Sequence, residues 1–208
     1  MKITKLPLQI VESALSIVGI RLNLEEPHYI STPLTGNVEI RKYGPRIAAE
    51  TTVAGGEEKA RNVGFRRLAN YIFGGNHRDE SISMTAPVAQ QSGRGEDIAM
   101  TAPVVQSRSA EDRWTIRFFM PAKWTMDTLP TPDDENVKLV TVPGETVAVL
   151  RFSGDRGSDA LEARSDELVK MLRDKGIEST GEPVTWFYDP PWTLPFRRRN
   201  EIAIPVKA

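Results

Sequence analysis

Apolar and polar positions along the chain run twice through one plan. In the first pass Val38–Tyr43 and Ile47–Val53 read as strands around a Gly44-Pro45 turn. A helix follows, opened by Glu57, Glu58 and Lys59 and striped by Ala60, Gly64, Phe65, Leu68 and Ile72 up to Gly74-Gly75. Trp114, Ile116, Phe118 and Met120 then alternate with Thr115, Arg117 and Phe119, the spacing of a half-buried strand. The second pass repeats the order. Lys138–Val142 and Thr146–Phe152 flank Pro143-Gly144, and Ser158 or Asp159 is placed to cap a helix, with Glu162 in capping-box position. Leu161, Leu168, Met171 and Leu172 line its inner side, Gly176 stops it, and strands at Val184–Tyr188 and around Ile202, Ile204 and Val206 complete the pass. The pattern predicts an α+β fold: duplicated ββαββ halves, about 35–127 and 137–207, joined about a pseudo-twofold axis into one distorted antiparallel β-barrel with two helices. The acidic, proline-bearing Thr128–Asn136 is the expected seam.

Inside the first pass the pentapeptide Met-Thr-Ala-Pro-Val occurs twice, as Met84–Val88 and Met100–Val104, each with an isoleucine two places earlier (Ile82, Ile98). The alternation reads as two short strands with one apolar side, and the glycine- and glutamine-bearing link Ala89–Asp97 reads as a loop. Ahead of the first pass, Leu8, Val11, Leu15 and Val18 recur at helical spacing, so residues 1–26 are expected to be an amphipathic leader helix and 27–208 the main domain. Glu12 and Gln9 interrupt that leader and no small-x-small cleavage pattern follows it, against a signal peptide; it is also too short and polar to span a bilayer. It is suited to docking on the domain, on a partner protein or on a membrane surface.

Composition narrows the chemistry. The 208 residues are 39% hydrophobic and 26% charged, ordinary values for a soluble, cytoplasmic protein with one full core. A net charge of −1 gives no electrostatic case for nucleic acid. With no cysteine there are no disulfides, thiolate metal sites or cysteine nucleophiles, and two histidines, His28 and His77, do not make a multi-histidine metal centre. No triad, paired catalytic carboxylates or phosphate loop is visible, so the chain reads as a binder and not an enzyme.

Four segments in order resemble the SOUL haem-binding family over roughly Pro27 to Lys207: Val38–Pro45, Phe65–Ile72, Ile82–Val88, and Tyr188-Asp189-Pro190-Pro191 leading into Arg198–Ile202. The resemblance implies a distorted barrel with two helices in duplicated halves, and reversible binding of haem and related porphyrins in a shallow apolar cleft beside the first helix. On this chain it points to Phe65, Leu68 and Ile72 on the helix and to Trp192 and Leu194 on the loop before the last strand. A porphyrin is a flat apolar disc with two anionic propionates, so it calls for apolar walls and a cation at one edge. Arg61, Arg66, Arg67 and Arg197 are the candidate cations, since guanidinium holds a carboxylate through parallel donors. The same stripe is equally what a helix buries in a core, and an arginine run such as Arg197–Arg199 is equally a solvated surface.

Some family members are proposed to ligate iron through a histidine immediately before Tyr-Gly-Pro. Lys42 stands there here, and lysine offers no lone pair unless desolvated. Lys42 shares strand parity with Val38 and Ile40, so it either snorkels outward or pairs with a ligand carboxylate. Met84 and Met100 are thioether donors whose alternation with isoleucine marks them as core filler. His77 is the remaining outside candidate for weak ligation. The expected ligand is therefore haem, held non-covalently and without a strong axial bond, in a buffer, carrier or sensor. The alternatives are a module for another amphipathic small molecule or lipid, on the likeness to gyrase-inhibitor-like effector-binding domains, and a tetrapyrrole-modifying enzyme.

Overall fold

The computed structural model describes residues 25–78, 95–110, 112–189 and 193–207. Strands β1 (Tyr29–Thr35), β2 (Val38–Tyr43) and β3 (Arg46–Ala54) precede helix α1 (Glu57–Ile72). The short β4 (Asn76–His77), then β5 (Val104–Ala110) and β6 (Arg113–Phe119), complete the first half. The short β7 (Thr131–Pro132) pairs with β4 at the expected seam, so that segment is tied down. β8 (Lys138–Val142), β9 (Glu145–Phe152), α2 (Ser158–Asp174), β10 (Val184–Phe187) and β11 (Asn200–Pro205) form the second half.

Nine strands make one antiparallel sheet in the order β1-β2-β9-β11-β10-β5-β6-β3-β8. If β2, β3, β5 and β6 are matched with β8, β9, β10 and β11, that order reads the same inward from β2 and from β8. The pseudo-twofold axis passes between β5 and β10, and the duplicated, curled fold expected from the pattern is present.

How the halves join differs from the simplest reading of the sequence. Gly44-Pro45 and Pro143-Gly144 do not fold their flanking strands into hairpins. β2 pairs with β9, and β3 with β8, in one unbroken register: Tyr43 lies opposite Glu145 and Arg46 opposite Val142. Each dipeptide is a bend in a long strand, with Gly44 set against Gly144 and Pro45 against Pro143. Proline donates nothing to a ladder, and a Cβ on Gly144 would stand 3.0 Å from the Tyr43 carbonyl oxygen. Small and donor-free residues meet where the two chains approach most closely.

The bends give the sheet an inside and an outside. Tyr43 and Trp186 sit on strands three places apart, about 14 Å across a flat sheet, yet their ring centroids are 5.7 Å apart. That face is therefore concave, and holds Ala48, Val105, Phe119, Val147, Val149, Trp186 and Ala203. The opposite parity carries both helices: α1 covers Ala49, Ile116 and Phe118, and α2 covers Ala148, Leu150, Ile202 and Ile204.

Other local expectations needed correction. Gly157, not Ser158 or Asp159, is the N-cap of α2, and no side chain caps it; Asp155 instead accepts from the N–H groups of Arg156 and Gly157. The second pentapeptide copy is not a regular strand. Ile98 is buried and Thr101 makes one isolated bridge to Glu25, but β5 begins only at Val104, past the proline. The first copy, with Met84, and the leader through residue 24 lie outside the described residues. β1 was not expected as a strand; it lies against β2 and is exposed along nearly its whole length, which removes the period-2 signal.

On the concave side a polar network ties the halves together. Glu201 (0% exposed) accepts two hydrogen bonds from Arg41 (1%), at 2.7 and 2.9 Å, one from the Tyr188 hydroxyl at 2.7 Å and one from Arg199 Nε at 2.8 Å. Arg41 also donates to Glu39, and Arg199 to Glu26. Burial alone would raise the Glu201 carboxyl, but the bonds and charge of Arg41, with Arg199, outweigh it and hold it below its ordinary 4.5. A carboxyl depressed in the folded state contributes stability that is present above the unfolded value and lost as pH falls through the folded one. Urea unfolding followed by tryptophan fluorescence should show stability falling as pH drops below about 4.5. Glu201→Gln strands a buried guanidinium and should cost about 3–5 kcal/mol at neutral pH while flattening that acid limb; an unchanged midpoint would contradict the role given to the network.

Candidate functional site

α1 approaches the sheet closely because Gly64 faces it: a Cβ there would meet Ile116 at 2.8 Å. The approach buries Leu68 (0%) and Ile72 (1%) with Ala60 and Tyr71, whose hydroxyl donates to the Pro130 carbonyl at 2.9 Å. Leu68 and Ile72 thus belong to the core under the helix and present no surface to a ligand. Phe65 is half-buried at the helix margin, edge-on to Phe118 with centroids 5.3 Å apart. Of the apolar helix residues singled out from the sequence, Phe65 alone sits at a margin.

A second feature lies beside it, between the helices. Phe187, at the end of β10, is faced by two guanidinium groups: Arg61 of α1 at 5.1 Å and Arg156, from the loop entering α2, at 5.3 Å. Arg61 Nη1 is buried and has no hydrogen-bond partner. Arg156 donates to the Asp189 carbonyl at 3.0 Å, and Arg198 Nε donates to the Thr193 carbonyl at 2.7 Å. Burial first, then the charges of Arg198 and Arg61, bring Arg156 down to about 10. The Asp189 carboxylate acts on Arg156 in the opposite sense and accepts from the Arg199 backbone N–H at 2.6 Å. Next to them the turn at Pro195–Arg197 is held by a Gly154 N–H bond to the Pro195 carbonyl at 2.9 Å. It leaves Leu194 (39%) and Phe196 (69%) exposed.

The other candidates separate from this spot. Arg197 and Arg66 are exposed. Arg67 reaches Thr51 at 3.5 Å and Asp134 at 3.8 Å, toward the β4–β7 seam. Lys42 is exposed on β2, which pairs with β9 on the side of the sheet that α2 covers, away from α1. His77, beyond the far end of α1, pairs with Asp133 at 2.6 Å on the surface, and His28 is exposed. Met100 is half-buried and packs on the α1 core, as a filler would. Trp192 lies outside the described residues. No group of three or more His, Asp or Glu side chains that would hold a metal ion occurs among the described residues, and no described helix is long and apolar enough to cross a membrane. Phe187, Arg156 and Phe196 escaped the sequence reading, because Arg61, Arg156 and Phe187 lie far apart in the chain and meet only in the fold.

A curled antiparallel sheet of duplicated halves, with one helix packed on each half, is the fold these residues define. The family model for the SOUL heme-binding protein matches residues 24–205, and the chain belongs to that family. It is 29% identical over 174 residues to mouse Heme-binding protein 2, covering 82% of this chain and 78% of that one. To human Heme-binding protein 2 it is 30% identical over 145 residues, 69% of this chain and 65% of that one. Among solved structures the EcmrR C-terminal domain superimposes with a TM-score of 0.56 at 12% identity, over 86% of this chain and 98% of that one. A hydrolase from Listeria innocua does so at 0.53 and 14%, over 82% and 92%. At those identities the likeness is one of fold. Leu68→Ala is expected to lower unfolding free energy by about 2–5 kcal/mol in urea titrations, as for a packed core side chain, and a loss under about 1 kcal/mol would return Leu68 to an open wall.

Proposed function

We propose that the protein binds haem or related tetrapyrroles reversibly at the margin of α1, in the gap between the two helices. The macrocycle lies against Phe65 and the exposed Leu194 and Phe196, and its propionates meet Arg61. The observation that carries this reading is the meeting of Arg61 and Arg156 at Phe187, with Arg61 Nη1 buried and unpartnered. An anion there relieves like-charge repulsion and supplies the missing acceptor. Membership of a haem-binding family supports the choice of ligand.

Lys42 and His77 lie away from this gap. Binding is therefore assigned to packing and charge, a mode that suits a buffer or carrier, which must release its cargo. Haemin and iron-free protoporphyrin titrated into the purified protein should bind within about tenfold of each other, a difference below about 1.4 kcal/mol. Arg61→Ala should weaken both by about tenfold or more, as expected when a charge-assisted contact is lost. Lys42→Ala and His77→Ala should leave the haem Soret band in place. A haem-only response abolished by either of those last substitutions would overturn the unligated mode, and no binding of either macrocycle would overturn the reading itself.

A further inference from the structure

We propose that the concave face of the sheet holds a second binding site, for a small branched apolar molecule that ends in a hydrogen-bond-accepting oxygen, anchored by Arg46. A cavity of about 70 Å³ opens on that face, lined by Val105, Phe119, Val147, Trp186 and Ala203, with Glu145 among its polar lining. These apolar residues come from five different strands, and all are of the parity turned away from the helices. At about 30 Å³ per water, the space admits a short branched alkyl group and excludes a tetrapyrrole.

Arg46 adjoins this cavity through two of its lining residues. Its guanidinium lies between the Tyr43 and Phe119 rings, 4.3 and 4.4 Å from their centroids, and its Nη2 donates to Glu145. The side chain is 8% exposed, and Nε and Nη1 are buried with no hydrogen-bond partner. Buried donors in native proteins are nearly always satisfied, so two on one side chain beside an apolar cavity call for an acceptor. Glu145 already balances the charge. The missing group is therefore an oxygen with lone pairs, which a carboxylate or a ketone supplies equally, carried on an apolar body that fits the cavity.

The test titrates the isotope-labelled full chain by NMR with isobutyrate and with its uncharged counterpart 3-methyl-2-butanone. Saturable shifts of the Trp186 indole N–H and of the Val105, Val147 and Ala203 methyls are expected with at least one probe; the responding probe tells an acid site from a carbonyl site. Arg46→Met should weaken that binding at least tenfold, and saturating probe should leave porphyrin affinity unchanged, which separates this site from the one between the helices. Absence of saturable shifts up to about 50 mM, well past the millimolar range open to so few atoms, overturns the proposal; so does binding that Arg46→Met leaves intact. If Arg46→Met does not fold, wild-type crystals soaked in the probe decide: its oxygen within hydrogen-bond distance of Nε or Nη1 supports the site, and water alone there overturns it.

Discussion

Two long strands, each bent once and held against each other in a single register, impose the shape on which everything else depends. Because β2–β3 and β8–β9 pair through their bends without a slip, the halves cannot separate into independent sheets. The sheet must curl, and curling sorts alternate residues of every strand into a concave and a convex set. The convex set receives both helices. The concave set is left to close on itself through Tyr43, Phe119 and Trp186. A residue with a side chain at Gly144 would press on the Tyr43 backbone where the strands are closest, so the bend is a matter of sterics as much as of hydrogen bonding.

The same arrangement explains where charge is buried. Arg41 near the start of one bent strand and Glu201 on β11 come from opposite ends of the chain, and their bidentate pair is enclosed by Tyr188, Arg199 and Tyr43. Such a network contributes less net stability than its Coulomb attraction suggests, because both ions lose water. Its value lies in geometry. A strand slipped by one residue would turn Arg41 toward the helices and take from Glu201 its bidentate partner. Register, curl and ion pair therefore enforce one another.

Much of this was legible in the residues. Period-2 and period-3.6 patterns located most of the strands and both helices, and the doubled order of elements implied the pseudo-twofold axis. The pairing across the bends was not legible, since Gly-Pro and Pro-Gly read locally as reversals and only the long-range register makes them bends. At the site, the apolar stripe of α1 identified the helix but not its exposed margin: Leu68 and Ile72 share Phe65's spacing, and only the approach at Gly64 shows that they are covered. Arg61 carried a recognisable charge. Phe187 and Arg156 carried no signal alone, because their significance arises when α1, β10 and the loop into α2 meet.

Curl and charge together lead to the functional reading. Helices seated side by side on a convex face bring Arg61 and Arg156 to one aromatic ring, and the nearby turn offers Leu194 and Phe196 to solvent. A flat, dianionic macrocycle matches that combination, and the concave face, with a cavity of about 70 Å³, does not. The most direct measurement is the pattern of amide signals broadened when paramagnetic haemin is added to the labelled protein. The account predicts selective loss at Arg61, Phe65, Arg156, Leu194 and Phe196, with Lys42 and His77 unaffected. Broadening confined to the concave face or to β1, with α1 silent, would contradict it.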